Sequence, residues 1–132
     1  MRLKTSILGV LLAAAFMPHH ARAAVTSDDF LLRNGGDLAA LCSADPSDPM
    51  ATAAKNFCAG FAVGVVRVLQ KVDAAEAPRR AMFCFPPKPP TRSEGIAEFV
   101  SWVNAEPGRQ ALAPEDALAT FLQVRFPCPP GK

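Results

Sequence analysis

The chain has 132 residues, half of them hydrophobic and 20% charged, which provides for one small core and excludes wholesale disorder. A formal charge of +2 is too small for a nucleic-acid partner, and thirteen prolines exclude one continuous helical rod.

Residues 1–23 read as a cleaved secretory signal. Arg2 and Lys4 give a positive start, Ile7 through Met17 an uncharged apolar run too short to span a bilayer, and Pro18 ends it. Ala21 and Ala23 supply the small residues that a signal peptidase reads, so cleavage is expected after Ala23, with Ala24 as the second choice. A retained N-terminal anchor is the competing reading. The expected organisation is a signal at 1–23 and a single helical domain at 24–132, exported to the periplasm and not held in the membrane once cut. The only two histidines, His19 and His20, leave with the signal. Without them no Ser-His or Cys-His nucleophile pair and no histidine-ligated metal site can form. Acid–base work would need a strongly shifted Asp, Glu or Lys. The expectation is therefore a protein with no catalytic residues, no cofactor and no metal.

Cys42, Cys58, Cys84 and Cys128 all survive cleavage, and an even count in a small exported chain argues for two disulfides. No C-x-x-C occurs, so a four-cysteine zinc site would lack its usual paired ligands. Three pairings exist. Cys42–Cys58 with Cys84–Cys128 would tie together one antiparallel helical hairpin each, and Cys58–Cys84 with Cys42–Cys128 is the rival.

In chain order, residues 28–33 read as a short extended lead-in, and Asn34-Gly35-Gly36 as a turn. A first helix is predicted over about Asp37 to Cys42, and Ser43 to Pro49, with two prolines and two aspartates, as a loop. The clearest helix runs from about Met50 to Val72. Ala54, Phe57, Cys58, Phe61, Val65, Val68, Leu69 and Val72 keep the 3.6-residue spacing, and the intervening residues are apolar as well. A helix apolar nearly all round is expected to be buried, with Gly60 and Gly64 admitting a close neighbour. Lys55 and Arg67 bracket too short an uncharged run for a membrane span.

Residues 73–90 read as irregular, carrying Arg79-Arg80, Phe83-Cys84-Phe85 and the stiff run Pro86-Pro87-Lys88-Pro89-Pro90. The proline run is either a rigid strap pinned by Cys84 or a proline-rich recognition motif. A third helix begins near Thr91, where Thr91-Arg92-Ser93-Glu94 fits a capping box, and Ile96, Phe99, Val100 and Val103 form its buried stripe. Trp102 lies to the side of that stripe and either packs on a neighbouring element or anchors a partner. Residues 104–113 connect to a fourth helix. Pro114 suits its first position, Glu115 and Asp116 its positive end, and Ala117, Leu118, Phe121 and Leu122 its core face. Glu115 and Asp116 read as helix-start residues rather than a catalytic pair. Phe126-Pro127-Cys128-Pro129 stops the helix. The sum is an all-α domain, a small bundle of about four helices with a long central second helix, stapled by two disulfides.

Several segments together carry a resemblance: Gly35-x-x-Leu38 ahead of Cys42, Phe57-Cys58-Ala59-Gly60-Phe61 with Gly64, Phe83-Cys84-x-Pro86, Pro107 after the third helix, and Phe126-Pro127-Cys128-Pro129. In this order the chain resembles the periplasmic immunity proteins of type VI secretion amidase effectors, the Rap/Tai family. Phe61 stands where that family often has tyrosine, and Pro86 to Pro90 is richer in proline. The resemblance implies an exported helical protein, often a homodimer, that binds and occludes a peptidoglycan amidase without catalysis. It also implies that an inter-helix loop enters the enzyme's cleft. On this chain that loop is the third connection. Glu106 and Pro107 match the family's local pattern, and Arg109 and Gln110 are added for exposure and hydrogen-bonding capacity. Trp102 is the neighbouring anchor. The alternative is a small structural or chaperone-like periplasmic protein that offers Trp102 and the Phe83/Phe85 pair as apolar surface.

Overall fold

A capped turn comes first among the described residues. In the computed structural model, which describes residues 23–75 and 81–129, the segment expected to be extended is instead a 3-10 helix, Ser27–Leu31. The Asp29 carboxylate accepts from both the amide (2.7 Å) and the hydroxyl (2.9 Å) of Thr26, a local closure that competes with an extended path. Leu32 ends the turn with φ 49°, a left-handed conformation unusual for a side chain without a local polar partner. Its side chain packs against both halves of the core, which offsets the strain.

α1 spans Gly35–Cys42, and here the expected glycine turn is already helix. The Asn34 side chain accepts from the Asp37 amide at 3.0 Å, so Asn34 caps the helix rather than opening a turn. After the predicted loop, α2 spans Ala51–Ala75. α3, Arg92–Asn104, starts with the expected capping box: Glu94 accepts from the Thr91 amide and hydroxyl, each at 2.7 Å. These contacts hold the Glu94 carboxyl below its ordinary pKa. A single turn, α4 at Pro107–Gln110, interrupts the third connection. α5, Pro114–Arg125, has Pro114, Glu115 and Asp116 in its first turn as expected. No strand occurs among the described residues. The expected signal segment over residues 1–22, and Arg79-Arg80, lie outside the described residues.

The disulfides are Cys42–Cys58 and Cys84–Cys128, with Cα separations of 5.1 and 4.8 Å. The first ties the end of α1 to α2. The second ties the proline strap to the segment after α5, where the Cys84 amide also donates to the Phe126 carbonyl at 2.8 Å. The proline run is thus a strap anchored at Cys84.

The core has two connected parts. The larger joins Leu38, Phe83, Phe99, Val103, Leu118 and Phe121 with their neighbours from α1, α3 and α5. The smaller surrounds the first disulfide with Val25, Leu41, Ala44, Ala51 and Ala54. Ile96, Phe99, Val100 and Val103 face inward as their spacing requires, with Ile96 half-buried.

α2 departs from expectation. The helix is there at full length, but only Ala51, Ala54 and Cys58 are buried along it. Phe61, Ala62, Val65, Val66 and Leu69 rest half-buried against the main core, while Phe57, Val68 and Val72 are exposed at 40%, 60% and 42%. Gly60 and Gly64 meet no close neighbour: a methyl group built on either has open space for 4 Å. Among the described residues the four other helices leave most of the outer face of α2 open, with Phe30 edge-on to Phe57 at 5.5 Å at one end. By length and hydropathy α2 is also the one described helix that would cross a membrane, a test that core helices of soluble proteins pass too.

Gly35 is the glycine that the packing requires. A methyl group there would stand 2.9 Å from the Arg109 carbonyl oxygen and 3.0 Å from the Ala117 Cβ. Its amide donates to the Leu112 carbonyl at 2.7 Å. Gly35→Ala must push α1 off the α4–α5 corner, at a cost of about 1–3 kcal/mol. Gly64→Ala, in open helix, should instead stabilise the monomer by up to about 1 kcal/mol. Urea unfolding of the two variants checks the opposite signs, and a neutral Gly35→Ala would refute the tight contact.

Candidate partner-binding site

The third connection is a built corner. Glu106 is the residue before α4, and its carbonyl accepts from the amides of Arg109 (3.0 Å) and Gln110 (3.4 Å). Pro107 occupies the first helical position, where its missing N–H costs nothing. Arg109 then turns back over α3. Its guanidinium carbon lies 4.5 Å from the centre of the Trp102 ring, its Nη1 donates to the Trp102 carbonyl at 3.0 Å, and its Nη2 pairs with the Glu106 carboxylate. A cation over an indole face contributes about 0.5–1 kcal/mol where water still reaches it. The ring of Trp102 is half-buried and sits 5.9 Å from that of Phe121 in the main core.

Trp102, Glu106 and Arg109 are therefore brought into direct contact. Glu106, Pro107 and Gly108 are the exposed tip. Arg109 and Gln110, expected to face solvent, are half-buried. The reason is the close approach of α1: Gln110 lies over Gly36, its Cβ 3.6 Å from where a Gly36 methyl group would stand. Arg109 is engaged on three sides and works as a brace, leaving Pro107 free at the tip and Glu106 exposed but paired with Arg109. Trp102 packs on its neighbours, as one of its two readings held.

Sequence reasoning missed the part that Gly35 and Gly36 play in seating this corner. The signal was present, since two glycines directly after a capping residue give up helix propensity that only a close contact compensates. It also missed a second brace from α3, one helical turn before Trp102. There Glu98 accepts from Arg125 at 2.7 and 3.1 Å, and Arg125 lies 5.0 Å from the Phe126 ring centre. The Arg125 hydrogen bond draws the Glu98 carboxyl below its usual pKa.

The remaining chemistry-bearing residues are spread out. Glu115 and Asp116 are exposed at the start of α5. Among the described residues, no three His, Cys, Asp or Glu side chains are grouped to hold a metal ion. Phe83 is buried, and Phe85, 38% exposed, packs edge-on against Phe83 and Phe126 at 5.1 and 4.9 Å. Phe83 is thus part of the core, contrary to its expected use as apolar surface, while Phe85 keeps an exposed edge.

Residues 34–128, from the cap of α1 to the last cysteine, match the Rap1a immunity proteins. The chain belongs to this family. The match covers both disulfides and the whole α3–α5 corner. Neither a curated protein nor a solved structure matches the chain. Rap1a membership implies a partner effector and a generally non-enzymatic role, and immunity proteins of this family are typically periplasmic.

Proposed function

We propose that this protein is a non-catalytic periplasmic immunity protein that binds and occludes a peptidoglycan amidase delivered by type VI secretion. Residues 1–23 serve as its export signal, cut after Ala23 or Ala24. The α4 tip enters the amidase cleft. Glu106 and Pro107 make the contact, and Trp102, Arg109 and Gln110 fix the tip's shape and its flank.

The observation that carries this reading is the braced corner. An occluding loop binds more tightly if it needs no ordering on contact. Arg109, held by Trp102 and Glu106, gives α4 that rigidity with only four residues of helix. The two disulfides restrain the elements on either side. The reading includes a homodimer, for which the uncovered apolar stripe of α2 has suitable chemistry.

The test is to mix the oxidised protein with the amidase encoded beside it and follow cleavage of purified peptidoglycan. Equimolar protein should abolish cleavage. Pro107→Asp together with Glu106→Arg should weaken inhibition at least tenfold with unchanged circular dichroism. Arg109→Ala should weaken it less, by loosening the tip. Undiminished cleavage with the wild-type protein would refute the pairing, and full inhibition by the double variant would move the contact elsewhere. The chaperone-like alternative predicts protection of unrelated clients from aggregation, and it has lost Phe83 as a contact.

A further inference from the structure

α2 packs closely on α1 and α5 but not on α3. Between α2, the proline strap and the start of α3 lies a cleft of about 350 Å³. Its floor is the main core at Leu38, Phe99, Leu118 and Leu122. Ala62 and Val66 of α2 form one wall, with Ile96 of α3 and Phe85 of the strap on the other.

The polar groups of this cleft share one character. Arg67 of α2 and Arg92 of α3 both line it, accompanied by Gln70 and Thr91, and no carboxylate does among the described residues. Neither arginine has an ion-pair partner among the described residues, whereas Arg33, Arg109 and Arg125 all do. An apolar trough that reaches the core, edged by two uncompensated cations, is complementary to a molecule with a hydrocarbon tail and an anionic head. The volume lies at the small end of ligand sites, which suits one acyl chain rather than two. We propose that this cleft binds a free fatty acid of medium length, its chain lying along Ala62, Val66 and Ile96 and its carboxylate held by Arg67 and Arg92. The site lies apart from the α4 tip, and its occupancy does not depend on an effector.

Calorimetric titration of the protein, purified with both disulfides intact, tests this with sodium decanoate below its micellar concentration. The comparison ligands are decyltrimethylammonium, with the same chain and the opposite charge, and acetate, with the head alone. Decanoate should saturate at one per chain, decyltrimethylammonium should bind at least tenfold more weakly, and acetate should not bind. Arg67→Gln with Arg92→Gln should lower decanoate affinity about tenfold or more, without changing the melting temperature of the free protein. Val66→Trp should fill the trough and abolish binding. Where that variant fails to fold, Gln70→Trp at the rim serves the same purpose. Absence of saturable decanoate binding would overturn the proposal. So would equal affinity for the cationic amphiphile, or a double arginine variant that binds like the wild type. Light scattering that finds a dimer, dissociated by Val66→Trp and blind to decanoate, would assign the cleft to a second copy and overturn it as well.

Discussion

Phe121→Ala should remove about 4 kcal/mol of stability, the largest effect expected of any single side-chain truncation in this fold. Phe121 is 4% exposed and meets three other aromatic rings: Phe99 at 5.6 Å, Trp102 at 5.9 Å and Phe126 at 6.4 Å. Deleting the ring forfeits its transfer energy, leaves a cavity among side chains of α3 and the end of α5, and ends the edge-to-face contacts. A domain of this size has only about 5–15 kcal/mol in total, so a large share of the protein would unfold under mild stress. The effect should also reach the α4 corner, because Trp102 rests on Phe121 and Arg109 rests on Trp102. Urea unfolding followed by the fluorescence of Trp102, the only tryptophan in the chain, reads both consequences at once. Phe121→Leu should lose less than half as much. An alanine variant that loses under about 1 kcal/mol would refute this account of the core.

Opening the disulfides is expected to be comparably severe and unequal between the two. Replacing Cys84 and Cys128 by alanine frees a loop of sequence separation 44 and should cost about 4 kcal/mol on the chain-entropy scale. Replacing Cys42 and Cys58 frees a separation of 16 and should cost about 3 kcal/mol on that scale. Packing narrows this gap, because Cys58 is 1% exposed in the smaller core and its loss leaves a void. Calorimetric melting of the two pairwise variants, beside the reduced wild type, measures each bridge. A Cys84/Cys128 variant that melts like the oxidised wild type would show that the strap is held by packing alone.

The legible parts of this fold are those written in local chemistry. Thr91 and Glu94 announce the start of α3 because a hydroxyl and a carboxylate three residues apart satisfy free amides wherever they occur. Pro114 with Glu115 and Asp116 announces α5 for a similarly local reason. Sequence left two disulfide pairings open, and the structure has the one that hairpin closure favours; the match over residues 34–128 agrees with the resemblance read from the cysteine contexts. What sequence left hidden depends on elements far apart in the chain. Hydropathy marks Phe57, Val68 and Val72 as apolar, but burial requires a neighbouring element that covers them, and among the described residues these three stay exposed, Phe57 with only the edge contact of Phe30. Pro107-Gly108 reads as a loop because neither residue favours a helix, and the single turn persists through the brace of Arg109 on Trp102. At the candidate site, residue identity was readable and accessibility was not, since Gln110 is half-covered by a glycine more than seventy positions earlier.

The sequential arrangement of the two bridges has a topological result. Residues 42–58 and 84–128 form separate covalent rings, one after the other, and the stretch between Cys58 and Cys84 is the single tether that joins them. A nick inside either ring leaves the polypeptide in one piece, whereas a single backbone break in that tether divides it into two closed halves. A break beyond the end of α2 leaves α1 and α2 in one half and the braced corner in the other, joined thereafter by noncovalent contacts, among them the Gly35 amide on the Leu112 carbonyl.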